Sequence, residues 1–187
     1  MTNHKNGSHG NRSVMLLPGL DGKRVVVTAG ASGIGFAIAK LLHEQGVWVA
    51  VCDIDTSALD KASLDLGGCI AEQADVSDNS AVEAFFCKVQ NEFGGLDALV
   101  NNAGIAGPTG NLEDLSPDDW RRCIDVCLTS QFLCSRQAIP MIKASGGGTI
   151  VNMASAAAKH GYAYRTPYSA AKFGVVGLTQ SLAKELG

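Results

Sequence analysis

A chain of 187 residues, 46% hydrophobic and 18% charged, carries enough apolar material to bury one core, so a single domain is the starting expectation. A net charge of −3 gives no electrostatic footprint for nucleic acid, and no apolar run is long enough to span a bilayer. Six cysteines without a Cys-x-x-Cys pair, and four histidines outside any ligand-spaced cluster, predict neither metal nor disulfide; scattered buried thiols suit a reducing, cytoplasmic compartment. Residues 1–19 are polar, with Lys5 and Arg12 but no apolar stretch of signal-peptide length, and read as a disordered tail ahead of a domain over 20–187. His4 and His9 within that tail read as solvated.

Arg24-Val25-Val26-Val27-Thr28 has the pattern of a buried strand and runs into Ala29-Gly30-Ala31-Ser32-Gly33-Ile34-Gly35. From Gly33 to about Gln45, Ile34, Ala37, Ile38, Leu41 and Leu42 recur at helical spacing, which puts the glycines in a strand-to-helix turn. Gly30, Ser32, Gly33, Ile34 and Gly35 thereby form a candidate phosphate cradle. Glycines let the backbone approach a pyrophosphate, and the helix start offers free N–H groups and the positive dipole end. A tight packing turn is the alternative. The second strand, 48–52, ends on Asp53, eighteen residues after Gly35. A carboxylate there accepts hydrogen bonds from the adenosine ribose hydroxyls and repels a 2′-phosphate, and no Lys or Arg lies between Gly30 and Gly35. Both facts favour NAD over NADP; a capping aspartate is the bland reading.

Further strands are expected near 69–73, 98–101 and 149–153, each followed by a helix, an alternation that argues a parallel, doubly wound α/β sheet. Ser116-Pro117-Asp118-Asp119 starts a long helix, with Ser116 as N-cap, proline in the first turn and acids at the positive dipole end. That helix runs toward Ile142, with Pro140 expected to kink or end it, and Gly146-Gly147-Gly148 resets the chain. Tyr168 and Lys172, at i and i+4 in the last helical segment, share a face, so the ammonium favours the phenolate and suits the tyrosine to acid/base work. Ser155, thirteen residues before Tyr168, adds a hydroxyl that can hold a substrate oxygen. Seen alone, Tyr-x-x-x-Lys is better explained by an amphipathic surface pair, and context decides. Residues 156–165 between them would line one side of a pocket, where Arg165 and Lys159 could meet a carboxylate or a phosphorylated carrier, or remain solvated.

Together these motifs resemble the short-chain dehydrogenase/reductase family in its compact single-domain form, over about Leu20 to Gly187. The matching pieces are the cofactor turn from Thr28 to Gly35, Asp75-Val76 after the third strand, Asn101-Asn102-Ala103-Gly104 after the fourth, Ser155, and Tyr168-x-x-x-Lys172. The resemblance implies a Rossmann-like parallel sheet with helices on both faces, lacking the last two strands. It implies that Asp75 and Val76 contact the adenine and that Asn102, Ala103 and Gly104 support the sheet and line the cofactor site. Tyr168 is then the acid/base, Lys172 binds the nicotinamide ribose and favours the phenolate, and Ser155 orients the substrate oxygen. The expected function is NAD(H)-dependent interconversion of a secondary alcohol and a ketone. A small carbonyl or alcohol is the expected substrate, as in oxoacyl-carrier-protein reductases and sugar or steroid dehydrogenases. A homodimer or homotetramer would form through the long helix and the helix of Tyr168.

Two departures from the family pattern stand out. The turn reads Thr28-Ala29-Gly30 where members have Thr-Gly, which predicts a small change of backbone geometry. The family's Val-Asn-Leu reads Val126-Cys127-Leu128, so a thiol replaces the asparagine that helps hold a water linking the active-site lysine to solvent. Cysteine is a weak donor and acceptor, so slower turnover is expected; alternatively Cys127, with Cys123 and Cys134, fills an apolar helical face. The final helix is still in stride at Gly187, where relatives continue for some sixty residues. A C-terminally truncated enzyme and a short, weakly binding or inactive partner protein are the two readings.

Overall fold

The computed structural model describes residues 17–187, so the expectations for residues 1–16 lie outside the described residues. Five parallel strands form one sheet: β1 (Arg24–Thr28), β2 (Trp48–Asp53), β3 (Ile70–Gln73), β4 (Ala98–Asn101) and β5 (Thr149–Asn152), in the order β3-β2-β1-β4-β5. Strand residues alternate between two cores. Val25 and Val27 of β1 and Val49 and Val51 of β2 pack on one face with Ala39, Leu59 and Ala62. Their neighbours Val26, Ala50 and Cys52 pack on the other with Phe85, Phe86, Val89, Leu133 and Ala138. At the sheet edge β5 stays partly open, with Val151 exposed, but over β1 and β2 both faces are covered, the first by α1 (Gly33–Glu44) and α2 (Thr56–Asp65), the second by α3 (Asn79–Phe93) and α5 (Ser130–Ala144). This is why the strands read as continuous apolar runs and not as a polar alternation. Leu17, at the start of the described residues, donates its N–H to Gln45 Oε1 at 2.6 Å, and Leu20 packs on the first core.

The long helix begins as its residues dictate. Ser116 Oγ accepts from Asp119 N at 3.0 Å, and Pro117 occupies the first turn of α4 (Pro117–Ile124). It is not uniform, however: Asp125–Thr129 is a π turn joining α4 to α5. Pro140 neither ends nor delimits α5, which continues to Ala144. It lies within the last turn and a half, so the lost backbone bond and the crowded carbonyl that proline brings fall near the end of the helix. After β5 come the short α6 (Ala157–His160) and the long α7 (Thr166–Leu186). Asn152 Nδ2 on β5 donates to Thr179 Oγ1 on α7 at 2.9 Å, and a small cluster of Cys123, Cys127 and Ala171 ties α4 and the π turn to α7.

Strand order reverses between β1 and β4, the first and fourth strands in sequence but neighbours in space. In open parallel sheets a crevice opens at the carboxyl ends of such a pair, because the connections leave in opposite directions. The glycine turn follows β1 and the Asn102–Gly104 segment follows β4, so the topology alone brings these two motifs together.

Candidate active site

Close approach governs the turn after β1. A Cβ on Gly30 would lie 2.6 Å from Val51 Cγ1 and 2.8 Å from Val27 O, and one on Gly35 would lie 2.1 Å from Ala29 O and 2.5 Å from Asn102 Nδ2. Only hydrogen atoms fit there. Gly33 is open but has φ +53°, and Ala29 takes φ +48°, a left-handed backbone that favours glycine. The departure from Thr-Gly thus places an alanine at a left-handed position. Asn102 clamps the turn: its Nδ2 donates to Thr28 O (3.0 Å) and Ala29 O (3.1 Å), while Asn102 N and Ala103 N both donate to Thr28 Oγ1 at 3.0 Å.

The start of α1 is electrostatically open. Asp55 caps α2 and Asp78 caps α3, but Ser32 makes no side-chain bond to α1 and its first turn carries no acid. Among the described residues no side chain caps its leading N–H groups and no acid stands in its first turn, which leaves the positive dipole end fit for a pyrophosphate. Asp53, at the tip of β2, accepts from Ile54 N (2.8 Å), Asp55 N (3.2 Å) and Ala31 N (3.4 Å), which fixes its carboxylate beside the turn with lone pairs to spare. Asp75 is more heavily engaged. Partial burial opposes its ionisation, but bonds from Ser77 N (2.9 Å) and Ser77 Oγ (2.6 Å) and the Arg122 guanidinium at 3.1 Å outweigh it and hold the carboxyl below the usual range. Val76 beside it is buried.

A cleft of about 430 Å³ lies at the carboxyl end of β4 and β5 and brings together Ile34, Asn102, Gly104, Ser155, Tyr168 and Lys172. Residues from four separate motifs thus share one cavity, which a surface Tyr–Lys pair would not. Ser155 Oγ accepts from Ala157 N at 3.2 Å, leaving its proton free to donate. Lys172 is 4% exposed, and its Nζ donates to Met153 O at 2.6 Å and lies 5.7 Å from the Tyr168 ring centroid. Burial pushes the Lys172 ammonium below its ordinary range.

Cys127 does more than fill an apolar face. Its Sγ accepts from Ile105 N at 3.4 Å and donates to Ile105 O at 3.3 Å, so the thiol pins the segment after β4 in the two-way manner of an amide side chain. It sits in the π turn, a helix irregularity frequent at functional sites. All six cysteines are free; Cys52, Cys123, Cys127 and Cys134 are buried, whereas Cys69 is half-buried and Cys87 exposed. Burial pushes the Cys52 thiol up to about 12 and the Cys123 thiol up to about 11, which keeps both protonated and unreactive. Among the described residues no group of three or more His, Cys, Asp or Glu side chains can hold a metal ion, and no helix is long and apolar enough to cross a membrane.

Sequence reasoning did not single out Met153, whose carbonyl anchors Lys172, or Arg122, which pairs with Asp75. The first role is played by main chain and leaves no mark in residue type. The second joins positions 47 apart in sequence, which only the fold brings together.

A family model described as short chain dehydrogenase matches residues 23–187. The chain is 44% identical to cis-4-hydroxycyclohexanecarboxylate dehydrogenase of Sinomonas cyclohexanicum over 84% of this chain and 65% of that one. It is 41% identical to cyclohexanol dehydrogenase of Acinetobacter sp. (strain SE19), over 87% of this chain and 66% of that one. Identity to 2-dehydro-3-deoxy-L-rhamnonate dehydrogenase (NAD(+)) of Sphingomonas sp. (strain SKA58) is 38%, over 88% and 66% of the two chains. Among solved structures, levodione reductase superposes with a TM-score of 0.85 at 31% identity, over 88% of this chain and 66% of that one. The chain thus spans about two thirds of the length of the relatives it matches.

Proposed function

The chain belongs to the short-chain dehydrogenase family, and from that premise we propose that its protein is an NAD(H)-dependent oxidoreductase interconverting a secondary alcohol and a ketone. The observation that carries this is the single cleft shared by Ser155, Tyr168 and Lys172 with Ile34 and Asn102 of the cofactor-side motifs. Relatives named for cyclohexanol and for a hydroxycyclohexanecarboxylate make secondary ring alcohols the natural first substrates to try.

Gly30, Ser32, Gly33, Ile34 and Gly35 would hold the pyrophosphate, Asp53 the adenosine ribose, Asp75 and Val76 the adenine, and Asn102, Ala103, Gly104, Tyr168 and Lys172 the nicotinamide end. Bound there, a nicotinamide dinucleotide supplies the hydride acceptor for the alcohol or the hydride donor for the ketone. The chain's own residues manage the oxygen and its proton. Ser155 Oγ, held by the bond it accepts from Ala157 N, donates to the substrate oxygen and stabilises charge developing there. Tyr168 accepts the hydroxyl proton at its phenolic oxygen as the alcohol becomes a ketone and returns it in the reverse direction. Lys172, buried and braced by Met153 O, places its charge beside that ring. No Lys or Arg lies between Gly30 and Gly35, and Asp53 is followed by Ile54 and Asp55, a local charge balance that supports NAD over NADP.

Exposed Phe132 on α5 and Phe173 on α7 support homo-oligomerisation through those helices. The test of the function is turnover of cyclohexanol and cis-4-hydroxycyclohexanecarboxylate by the full-length protein with NAD and with NADP. Oxidation of either alcohol with NAD preferred, and a preference relaxed in Asp53→Ser, is the expected result. A preference for NADP in the parent protein would overturn the cofactor assignment.

A further inference from the structure

The cleft contains a cation that the chemistry above leaves unused. Arg165 lines it together with Ser155, Tyr168 and Lys172, and its guanidinium carbon lies 5.1 Å from the Tyr168 ring centroid. One Nη donates to Ala106 O, but Nε is buried without a partner, and among the described residues Arg165 pairs with no carboxylate. Among the described residues no Asp or Glu lines the cleft. Position makes the charge more conspicuous. Arg165 is the N-cap residue of the 21-residue α7, whose first turn carries no acid, so a cation stands at the positive end of a helix dipole. Tyr164, immediately before it, is held at φ +63° with its carbonyl accepting from Gly110 N at 3.1 Å. An unpaired guanidinium placed against the dipole in an acid-free cleft lacks an anion that the chain does not provide. Lys159, the other cation between Ser155 and Tyr168, is exposed on α6 and does not line the cleft.

Building on the dehydrogenase reading, we propose that Arg165 binds a carboxylate carried by the substrate, so that the substrate class is a hydroxy acid or oxo acid. The guanidinium fork matches a carboxylate's two oxygens, and a single uncommitted charge suits a monoanion better than a phosphate dianion. Because Arg165 sits against the same ring as the reacting oxygen's proton acceptor, the carboxylate and the carbinol carbon must belong to one compact molecule.

The experiment compares kcat/KM of the full-length protein for cis-4-hydroxycyclohexanecarboxylate and for cyclohexanol, with NAD, in the parent protein, Arg165→Gln and Arg165→Lys. The parent is expected to favour the acid by about ten- to a hundredfold, the range of a charge-assisted bond. Arg165→Gln should bring that ratio toward unity, chiefly by raising KM for the acid, and Arg165→Lys should restore part of it. Equal kcat/KM for both alcohols in the parent overturns the carboxylate assignment while leaving the dehydrogenase reading intact. So does a loss in Arg165→Gln that is the same for both substrates, the signature of a residue that merely braces the 104–110 segment and Tyr168. Turnover of neither alcohol overturns the dehydrogenase reading itself and the assignment with it.

Discussion

Replacing Gly35 with alanine should destabilise the protein severely, and the size of the loss follows from two short approaches. The added Cβ would sit 2.1 Å from Ala29 O and 2.5 Å from Asn102 Nδ2, both well inside contact distance. Neither neighbour can swing away cheaply. Ala29 O is main chain, already strained at φ +48°, and Asn102 Nδ2 is fixed by bonds of 3.0 and 3.1 Å to Thr28 O and Ala29 O. Making room costs those two hydrogen bonds, about 1 kcal/mol each, plus an overpacking strain of about 1–3 kcal/mol, for a total of about 3–5 kcal/mol. For a domain of this size that lowers Tm by roughly 6–20 °C. Thermal melts followed by circular dichroism on Gly35→Ala and Gly33→Ala measure it. Gly33 has a positive φ but nothing within 4 Å of its would-be Cβ, so its variant carries only left-handed strain of about 1 kcal/mol. If Gly35→Ala melts as close to the parent as Gly33→Ala does, the close approach of the turn to Asn102 is wrong.

Ala29→Gly should relieve the left-handed strain at φ +48° and raise stability by up to about 1 kcal/mol, the gain being reduced by glycine's greater freedom when unfolded; a lowered Tm contradicts it. Asp97 is held down to about 2, first by its bond from Arg24 Nε at 2.7 Å. Its folded value lies below its unfolded one, so its contribution is full above about pH 4 and disappears as pH falls through 2. Denaturant melts should show Asp97→Asn flattening the acid limb in that window by on the order of 1 kcal/mol after solvent screening; an unchanged limb refutes the pairing. Cys127→Asn should raise kcat with NAD(H), since an amide both bonds Ile105 as the thiol does and does so more strongly. No gain in rate would show that the thiol serves the site as well as an amide.

Most of the architecture was legible because buried strands and amphipathic helices write their period into residue type. Val25 to Val27 predicted β1, and the helical spacing from Ile34 to Leu42 predicted α1. The cap at Ser116 was equally direct, since its hydroxyl needs only the N–H three residues on. What escaped depended on neighbours distant in sequence or on main chain. The π turn over Asp125–Thr129 has no propensity signature, and Pro140 looked like a terminator because the remaining turn of α5 is held by packing of Ile142 and not by local preference. At the site, the i,i+4 spacing of Tyr168 and Lys172 indicated only a shared helical face, and it was the surrounding motifs that marked them as a candidate site. The distinction between Arg165 and Lys159 was not readable, because it rests on which of two exposed-looking cations the fold turns into the cleft.

On the proposed function, Ser155, Tyr168 and Lys172 form a working proton-transfer site beside a nicotinamide-binding turn. The most direct test is NADH formation from a secondary alcohol by the full-length protein and its Tyr168→Phe variant, with melting temperatures showing both folded. A loss of about 10²–10⁴-fold in kcat on removal of the phenolic oxygen is the predicted result. A folded Tyr168→Phe protein that oxidises the alcohol at the parent rate would contradict the account.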